Sequence, residues 1–337
     1  MLVDTAPPAA TARRAPRFGF LRSWDAAIIV ALLASIAVAS MTVSGFATAR
    51  NSGFLLIDLI PILLLALPMT LIILTGEIDL SVASIAGFVS CVFGALWNAG
   101  MPMETIVPLC IVLGIVSGAF NGFLVSVVGL PSLAVTIGTL ALFRGLAFVV
   151  LGDQAVTSFP RAITTGLQAK IGATGIPVWI VPVILLAIIF GVVLHFTGFG
   201  RSLFAIGYSV DASRFSGIGV ARTKFWLYVL SGAVAAMVGV WWTLRYGSAR
   251  GDNATGLELS VIAAVLLGGV SIFGGKGTLP GVIAGVGLLA ILRNALQLAS
   301  VPEDTLSMLT GGLLILAVVA PNAIAWAGSL SRKASTT

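Results

Sequence analysis

The sequence predicts an all-α integral membrane protein of about ten transmembrane helices, arranged as two inverted five-helix halves. Three observations carry that expectation. The 337-residue chain is 58% hydrophobic and only 9% charged, where soluble domains carry roughly 25% charged residues. A surface so poor in charge cannot be solvated by water alone, and the mean hydropathy is +1.12. Apolar runs of about 20 residues, enough to cross a bilayer core of roughly 30 Å, recur along the chain. A short acidic motif near residue 75 returns near residue 255.

In chain order, residues 1–25 are expected to be a cytoplasmic amino-terminal segment, with Arg13, Arg14, Arg17 and Arg22. No small-residue cleavage site closely follows a short apolar core, so no cleavable signal peptide is expected. A single transmembrane domain then covers 26–328. Its first half, 26–151, holds spans at 26–46, 54–74, 81–97, 105–126 and 132–151. Its second half, 178–328, holds spans at 178–197, 225–244, 258–273, 279–298 and 306–328. The third and eighth spans are short. Residues 329–337 form a tail.

With a cytoplasmic amino terminus, ten spans also place the carboxyl terminus inside. Inside segments then hold Arg13, Arg14, Arg17, Arg22, Arg201, Arg214, Arg222, Lys224, Lys276, Arg332 and Lys333, and outside segments only Arg50, Arg161, Lys170, Arg245 and Arg250. That asymmetry agrees with the positive-inside rule. The net charge of +6 therefore reports orientation and gives no signal for nucleic acid. Two long loops remain, 152–177 outside and 198–224 inside. Cys91 and Cys110 lie in apolar runs and read as small core residues, and the lone His195 supplies no metal cluster.

The repeat pairs "TGEIDLSVA" (75–83) with "TGLELSVIA" (255–263), and Asn121 with Asn294, each followed by a proline. The first copy of the acidic motif opens the third span and the second opens the eighth. Five spans lie between them, an odd number, so the halves are inverted. Inverted repeats enclosing a site are a transporter architecture.

Charge at the bilayer centre costs on the order of 2.5–3.5 kcal/mol on insertion scales. Glu77, Asp79, Ser81 and Glu258 at the motifs, Asn121 and Asn294, and Arg144 inside the fifth span are therefore the candidate translocation-path or gating residues. Each has a plainer reading. Thr75 and Asp79 can cap a helix and close a turn after Gly76, and Arg144 can lock the bundle through an ion pair, with Glu77 or Asp79 as partner. Arg293, also within a span, can snorkel outward.

The inside loop contains "DASRFSGI" (211–218), which suits a short helix started by Asp211 and stopped by Gly217. It reads either as an ordinary connector or as a docking helix. Together "LTGEIDLSV", "GLPSLAVTIGTLALFRGLA", "AIGYSVDASRFSGI" and "ELSVIAAVLLGGVSIFGGKGTLPG" resemble the permease subunits of bacterial ABC importers for sugars. The group is that of ribose-, xylose- and rhamnose-type permeases, which includes autoinducer-2 permeases. The resemblance runs from about 54 to 328. It departs at Glu77, where many members have a second glycine, and at Tyr208-Ser209, where Gly-Asn is commoner.

The resemblance implies a multi-pass protein of the bacterial inner membrane with both termini cytoplasmic. It implies a homodimer or a heterodimer with a related permease, served by ABC ATPase subunits and an extracytoplasmic sugar-binding protein. It also implies that 198–224 is the coupling loop, with Gly207, Asp211, Arg214, Gly217 and Ile218 matching its pattern. The chain itself is expected to bind no cofactor. "SIFGGKGTLPG" lacks the first glycine and the Ser/Thr of a phosphate-binding loop, so ATP and Mg belong to the partner ATPase. An ion-coupled secondary transporter is the alternative, with Glu77, Asp79 or Asp58 as coupling carboxylate. An intramembrane enzyme lacks the Ser/His or His-Glu-x-x-His patterns it needs.

Overall fold

The computed structural model describes residues 24–167, 169–172, 174–302, 304–317 and 319. The four amino-terminal arginines, the last part of the tenth apolar run and the tail lie outside the described residues. The described chain is helical, with isolated bridges at Val156–Ala249 and Lys170–Pro177. Its helices are α1 (Trp24–Thr42), α2 (Ala49–Leu74), α3 (Val82–Asn98), α4 (Met103–Ser126), α5 (Ser132–Leu151), α6 (Arg161–Gly166), α7 (Ile180–Phe196), α8 (Gly198–Tyr208), α9 (Val210–Phe215), α10 (Val220–Tyr246), α11 (Leu257–Leu267), α12 (Leu279–Leu298) and α13 (Asp304–Ala317).

Six of them, α1, α2, α4, α5, α10 and α12, are long and apolar enough to cross a membrane. The pair α7 and α8, bent by 67° at their junction, makes a seventh if taken as one broken span. Helices α3, α11 and α13 are apolar but shorter. Each of the ten apolar runs thus contains a helix, while length and composition alone support six or seven crossings.

α2 is the centre of the bundle. Its second half is apolar on every face, and such a helix has to be enclosed. Every residue from Ile60 to Leu74 is buried, among α10, α12, α11, α7 and α8. α1 lies on α12 with much of its surface exposed, as suits a helix facing lipid.

The most extensive helix contact is α4 on α10, and glycine makes it possible. A Cβ on Gly118 would lie 2.2 Å from the Tyr228 carbonyl oxygen, and one on Gly232 2.2 Å from that of Gly114. The two backbones touch, which only small residues permit. In lipid such contact supplies the attraction that the hydrophobic effect supplies in water.

The packing is crossed between the halves. α3 and α4 pack on α10, α11 and α12 pack on α2, and α2 crosses α10 between them. Gly76 and Gly256, at the heads of the two motifs, share the left-handed conformation (φ +79° and +80°). The copies differ in one respect. The first has one more residue between its glycine and Leu-Ser-Val, so Asp79 precedes α3 whereas Glu258 falls in the first turn of α11.

Two ends of the bundle follow from the contacts. One gathers the end of α2, the start of α3, α8, the start of α10 and the turn before α12, through Gly275 N to Leu74 O (2.9 Å) and the Lys224–Glu77 ion pair. The other gathers the Val156–Ala249 bridge and the start of α2 beside the end of α12.

Gly232→Leu forces α4 and α10 apart against backbone. Overpacking costs about 1–3 kcal/mol where side chains can yield, and here they cannot. The variant is expected to lose its cooperative melt in detergent, while Gly138→Leu, whose Cβ position is open, keeps it.

Candidate functional site

The linker 75–81 is a knot of polar groups under the first of these ends. Thr75 is the last residue of the α2 turn and donates its hydroxyl back to Ile72 O at 2.8 Å. Gly76 then reverses the chain. The Ile78 backbone N–H donates to Ser132 Oγ at 3.2 Å, and Ile78 O accepts from Thr136 Oγ1 and Tyr228 Oη, both at 3.3 Å. The linker is thereby tied to α5 and α10.

Asp79 is only 1% exposed. Its Oδ1 accepts from the Ser81 backbone N–H (3.0 Å) and hydroxyl (2.6 Å), and its Oδ2 from Ser231 Oγ on α10 (2.9 Å). Ser81 Oγ in turn accepts from Asn121 Nδ2 on α4 at 2.7 Å. Asn121 Oδ1 is buried without a hydrogen-bond partner among the described residues. Glu77, two residues earlier, pairs with Lys224 near the start of α10. Four of the sequence-predicted residues, Glu77, Asp79, Ser81 and Asn121, thus share one cluster. Both Asp79 oxygens are satisfied within the chain, as a buried carboxylate requires.

The candidate docking loop stands at the same end. The segment 211–218 does contain a short helix, α9 (Val210–Phe215), but the expected start is corrected. Ser209 is the cap of α9, its Oγ accepting from Ala212 N at 3.2 Å, because a hydroxyl two residues ahead of Asp211 reaches the free N–H first. Asp211 falls in the first turn, where a carboxylate suits the positive helix end. It faces Arg214 at 3.7 Å. Gly217, at φ +80°, ends the helix as expected, and Ile218 N bonds back to Ser213 O at 3.0 Å. Tyr208 (86% exposed) and Phe215 (94%) flank α9.

Gly207 fixes this loop to the bundle. A Cβ there would lie 1.9 Å from Leu74 O and 2.3 Å from Gly275 N. The end of α8 is therefore in backbone contact with the end of α2 and with the glycine turn before α12. Gly274 and Gly275, beside Lys276, take left-handed φ values in that turn.

The remaining candidates lie elsewhere. Arg144 pairs with neither Glu77 nor Asp79. Its Nη1 donates to Gly251 O and Asn253 O, both at 2.8 Å, because the fifth helix carries it away from the linker toward the opposite end. Asn253 is held by Ser90 Oγ and Ser248 O. Glu258 has a buried Oε2 without a hydrogen-bond partner among the described residues. Asn294 exchanges two hydrogen bonds with Asn51 (2.8 and 3.0 Å). His195 accepts from Leu279 N, the first N–H of α12, at 3.2 Å, beside the Thr278 cap. Sequence reasoning missed Ser231 and Tyr228, and counted Lys224 only as an inside charge. No local signal marks them, since their partners lie some 150 residues away.

Residues 51–318 match the family described as branched-chain amino acid transport system / permease component. Among curated proteins the chain is similar to the autoinducer 2 import system permease protein LsrD of Photorhabdus luminescens, 35% identical over 298 residues, covering 85% of this chain and 89% of the relative. It is 34% identical over 302 residues to the protein of that name from Yersinia enterocolitica, covering 88% and 91%. A solved chain described as an inward-facing, metal-chelate type ABC transporter aligns at 15% identity with a TM-score of 0.49, over 87% of this chain and 98% of its own.

Asp79→Ala strands Ser231 and Ser81, and each buried polar group left unpaired costs about 1–3 kcal/mol. The variant is expected to melt well below the native chain in detergent, and Ser231→Ala by a smaller step. At the neighbouring pair, Glu77→Lys alone is expected to destabilise, and Glu77→Lys with Lys224→Glu to recover most of the loss, read by the same melts.

Proposed function

The chain belongs to the branched-chain amino acid transport system / permease component family, and from that membership we propose that it is the transmembrane permease subunit of an ATP-binding-cassette importer. It carries a monosaccharide-like solute (rhamnose-, ribose- or xylose-like, or autoinducer-2) across the bacterial inner membrane. Its relatives named for autoinducer 2 import support the substrate class. The chain is a conduit without chemistry of its own. ATP and Mg belong to separate ATPase subunits, an extracytoplasmic binding protein delivers the solute, and two permease chains, identical or related, form the pore.

The observation that carries this reading is the pairing of an exposed helix with a rigid anchor. α9 offers Asp211, Arg214 and the exposed Phe215 to a partner, beside the exposed Tyr208 at the end of α8. Gly207 seats the preceding helix directly on α2 and on the turn before α12. A push on α9 then reaches the central helix through backbone contact, with no flexible side chain between. The loop 198–224 is accordingly the ATPase-coupling loop, and its end of the bundle faces the cytoplasm, as both termini do.

The ten-span topology belongs to this reading. α11, with 11 residues, is about 16 Å long at 1.5 Å per residue, too short to cross alone. Its flanks, 247–256 and 268–278, complete the crossing as irregular backbone, which membranes tolerate where it is buried in protein. Discontinuous helices of this kind in two inverted halves suit alternating access.

Arg214→Glu is expected to leave membrane insertion and the detergent melt unchanged, Gly217→Arg to insert but melt somewhat lower because its φ of +80° strains a side chain, and both to reduce ATP-driven uptake at least tenfold. A pull-down of the tagged chain from its native membrane, read by mass spectrometry, should recover an ABC ATPase. Normal uptake by both variants would remove the role of the loop. A chain recovered alone, transporting without ATP under an ion gradient, would replace the importer by a secondary transporter.

A further inference from the structure

At the end of the bundle opposite the docking loop, α2, α10 and α12 part around a cleft of about 240 Å³. Asp58, Trp242, Tyr246, Arg293, Asn294 and Gln297 line it. A second depression of about 320 Å³, lined by Arg250, Asp252 and Thr255 among others, shares Trp242 and Tyr246 as its wall. Cavities elsewhere, such as those bordered by α7, are lined almost wholly by apolar side chains.

The placement of Asp58 is the first anomaly. It sits nine residues into α2, just before the helix becomes enclosed at Ile60, and charge persists at such positions where it faces protein or a water-filled path. Its contact with Arg245 is loose, at 3.9 Å, and its side chain stays 54% exposed while that of Arg245 is 14% exposed. The pair therefore does not consume the carboxylate, and the cleft receives it. Asn294 is the second. Its amide is held in one orientation by Asn51, so its position in the cleft wall is set before any ligand arrives. Trp242 and Tyr246 complete the wall, their ring centroids 5.0 Å apart at 49°.

Carboxylate, guanidinium and amide groups together offer both acceptors and donors within a few ångströms. Aromatic faces add an apolar surface with a polar rim. That combination recognises a small neutral ring bearing several hydroxyls: C–H faces stack on the rings while hydroxyls bond to the polar groups. The volume is below that of a drug-sized pocket, as a single sugar-like ring requires. We propose that this cleft is a binding subsite for a neutral polyhydroxylated molecule, receiving the solute at the extracytoplasmic mouth. Selectivity then resides partly in this chain and not wholly in the binding protein. The assignment of side and cargo rests on the importer reading; the cleft chemistry does not.

The test is saturation-transfer NMR on the full chain in nanodiscs, with ribose, xylose, rhamnose, autoinducer-2 and inositol offered singly at millimolar concentration. At least one is expected to give signal, strongest on its ring C–H protons. Trp242→Ala should weaken that binding about tenfold through loss of the stacking face, and Asp58→Asn should weaken it while preserving shape. Arg214→Glu, at the other end, should leave it unchanged. If Trp242→Ala does not fold, Trp242→Phe and Gln297→Met, each checked by its melt, serve in its place. No signal from any compound, or signal unaffected by the cleft variants, overturns the proposal. Recovery of an ATPase with no binding at the cleft sinks the subsite and spares the importer. Binding at the cleft in a chain driven by an ion gradient does the reverse.

Discussion

A carboxylate withdrawn from water among aliphatic helices is tolerated only when its oxygens are bonded, and Asp79, 1% exposed, obtains those bonds from two parts of the chain, with a third behind them. Ser81 comes from its own linker, Ser231 from α10, and Asn121 reaches the same group from α4 through Ser81. The need to satisfy one buried charge thus sets where α3 starts, how α10 is rotated and where α4 ends. The backbone contact of α4 with α10 at Gly118 and Gly232 lies on the same side of α10 and holds it in that rotation. Glu77 and Lys224 add a second tie between linker and α10. The acidic motif is in this sense an assembly device for the end of the bundle on which the docking loop is built.

That end works as a solid piece. Gly207, Gly274, Gly275 and Leu74 meet through main-chain atoms, so α8 cannot move without carrying α2 or the turn before α12. Interiors this closely packed transmit displacement and do not absorb it. The exposed part, α9 with Tyr208 and Phe215, is small and polar enough to be solvated when unoccupied. On the proposed importer reading, the rigid anchor would transmit and the exposed tip would recognise a partner.

The opposite end is built on another principle. There the cations Arg144, Arg245 and Arg293 and the carboxylates Asp58 and Glu258 are spread over five helices. Arg144 is satisfied by two carbonyls of an irregular segment, which fixes that segment in the absence of regular structure. Asp58 and Arg245 are only loosely paired. A tight ion pair would have closed the cleft; the loose one leaves hydrogen-bonding capacity in its wall. The two ends therefore differ in how their carboxylates are held, Asp79 closely bonded and Asp58 only loosely paired.

The linear sequence by itself determined the class, the helices and the family resemblance. Hydropathy is a local property, so α5 and α12 begin and end at the residues expected of the fifth and ninth spans. The docking segment is local too, and its short helix with a terminal glycine was legible, apart from the exact cap. What tertiary structure alone decided is partnership: Arg144 with the 251–253 carbonyls rather than with the acidic motif, Lys224 with Glu77, Ser231 with Asp79, and Asp58 in a cleft with Trp242 and Tyr246. The reason is physical. An amphipathic helix in water announces its inner face by its pattern, whereas a helix apolar on every side, such as α2 or α7, gives no azimuth. Which face meets which neighbour is then set by close approach at glycines and by the few polar groups that must find one another across more than a hundred residues.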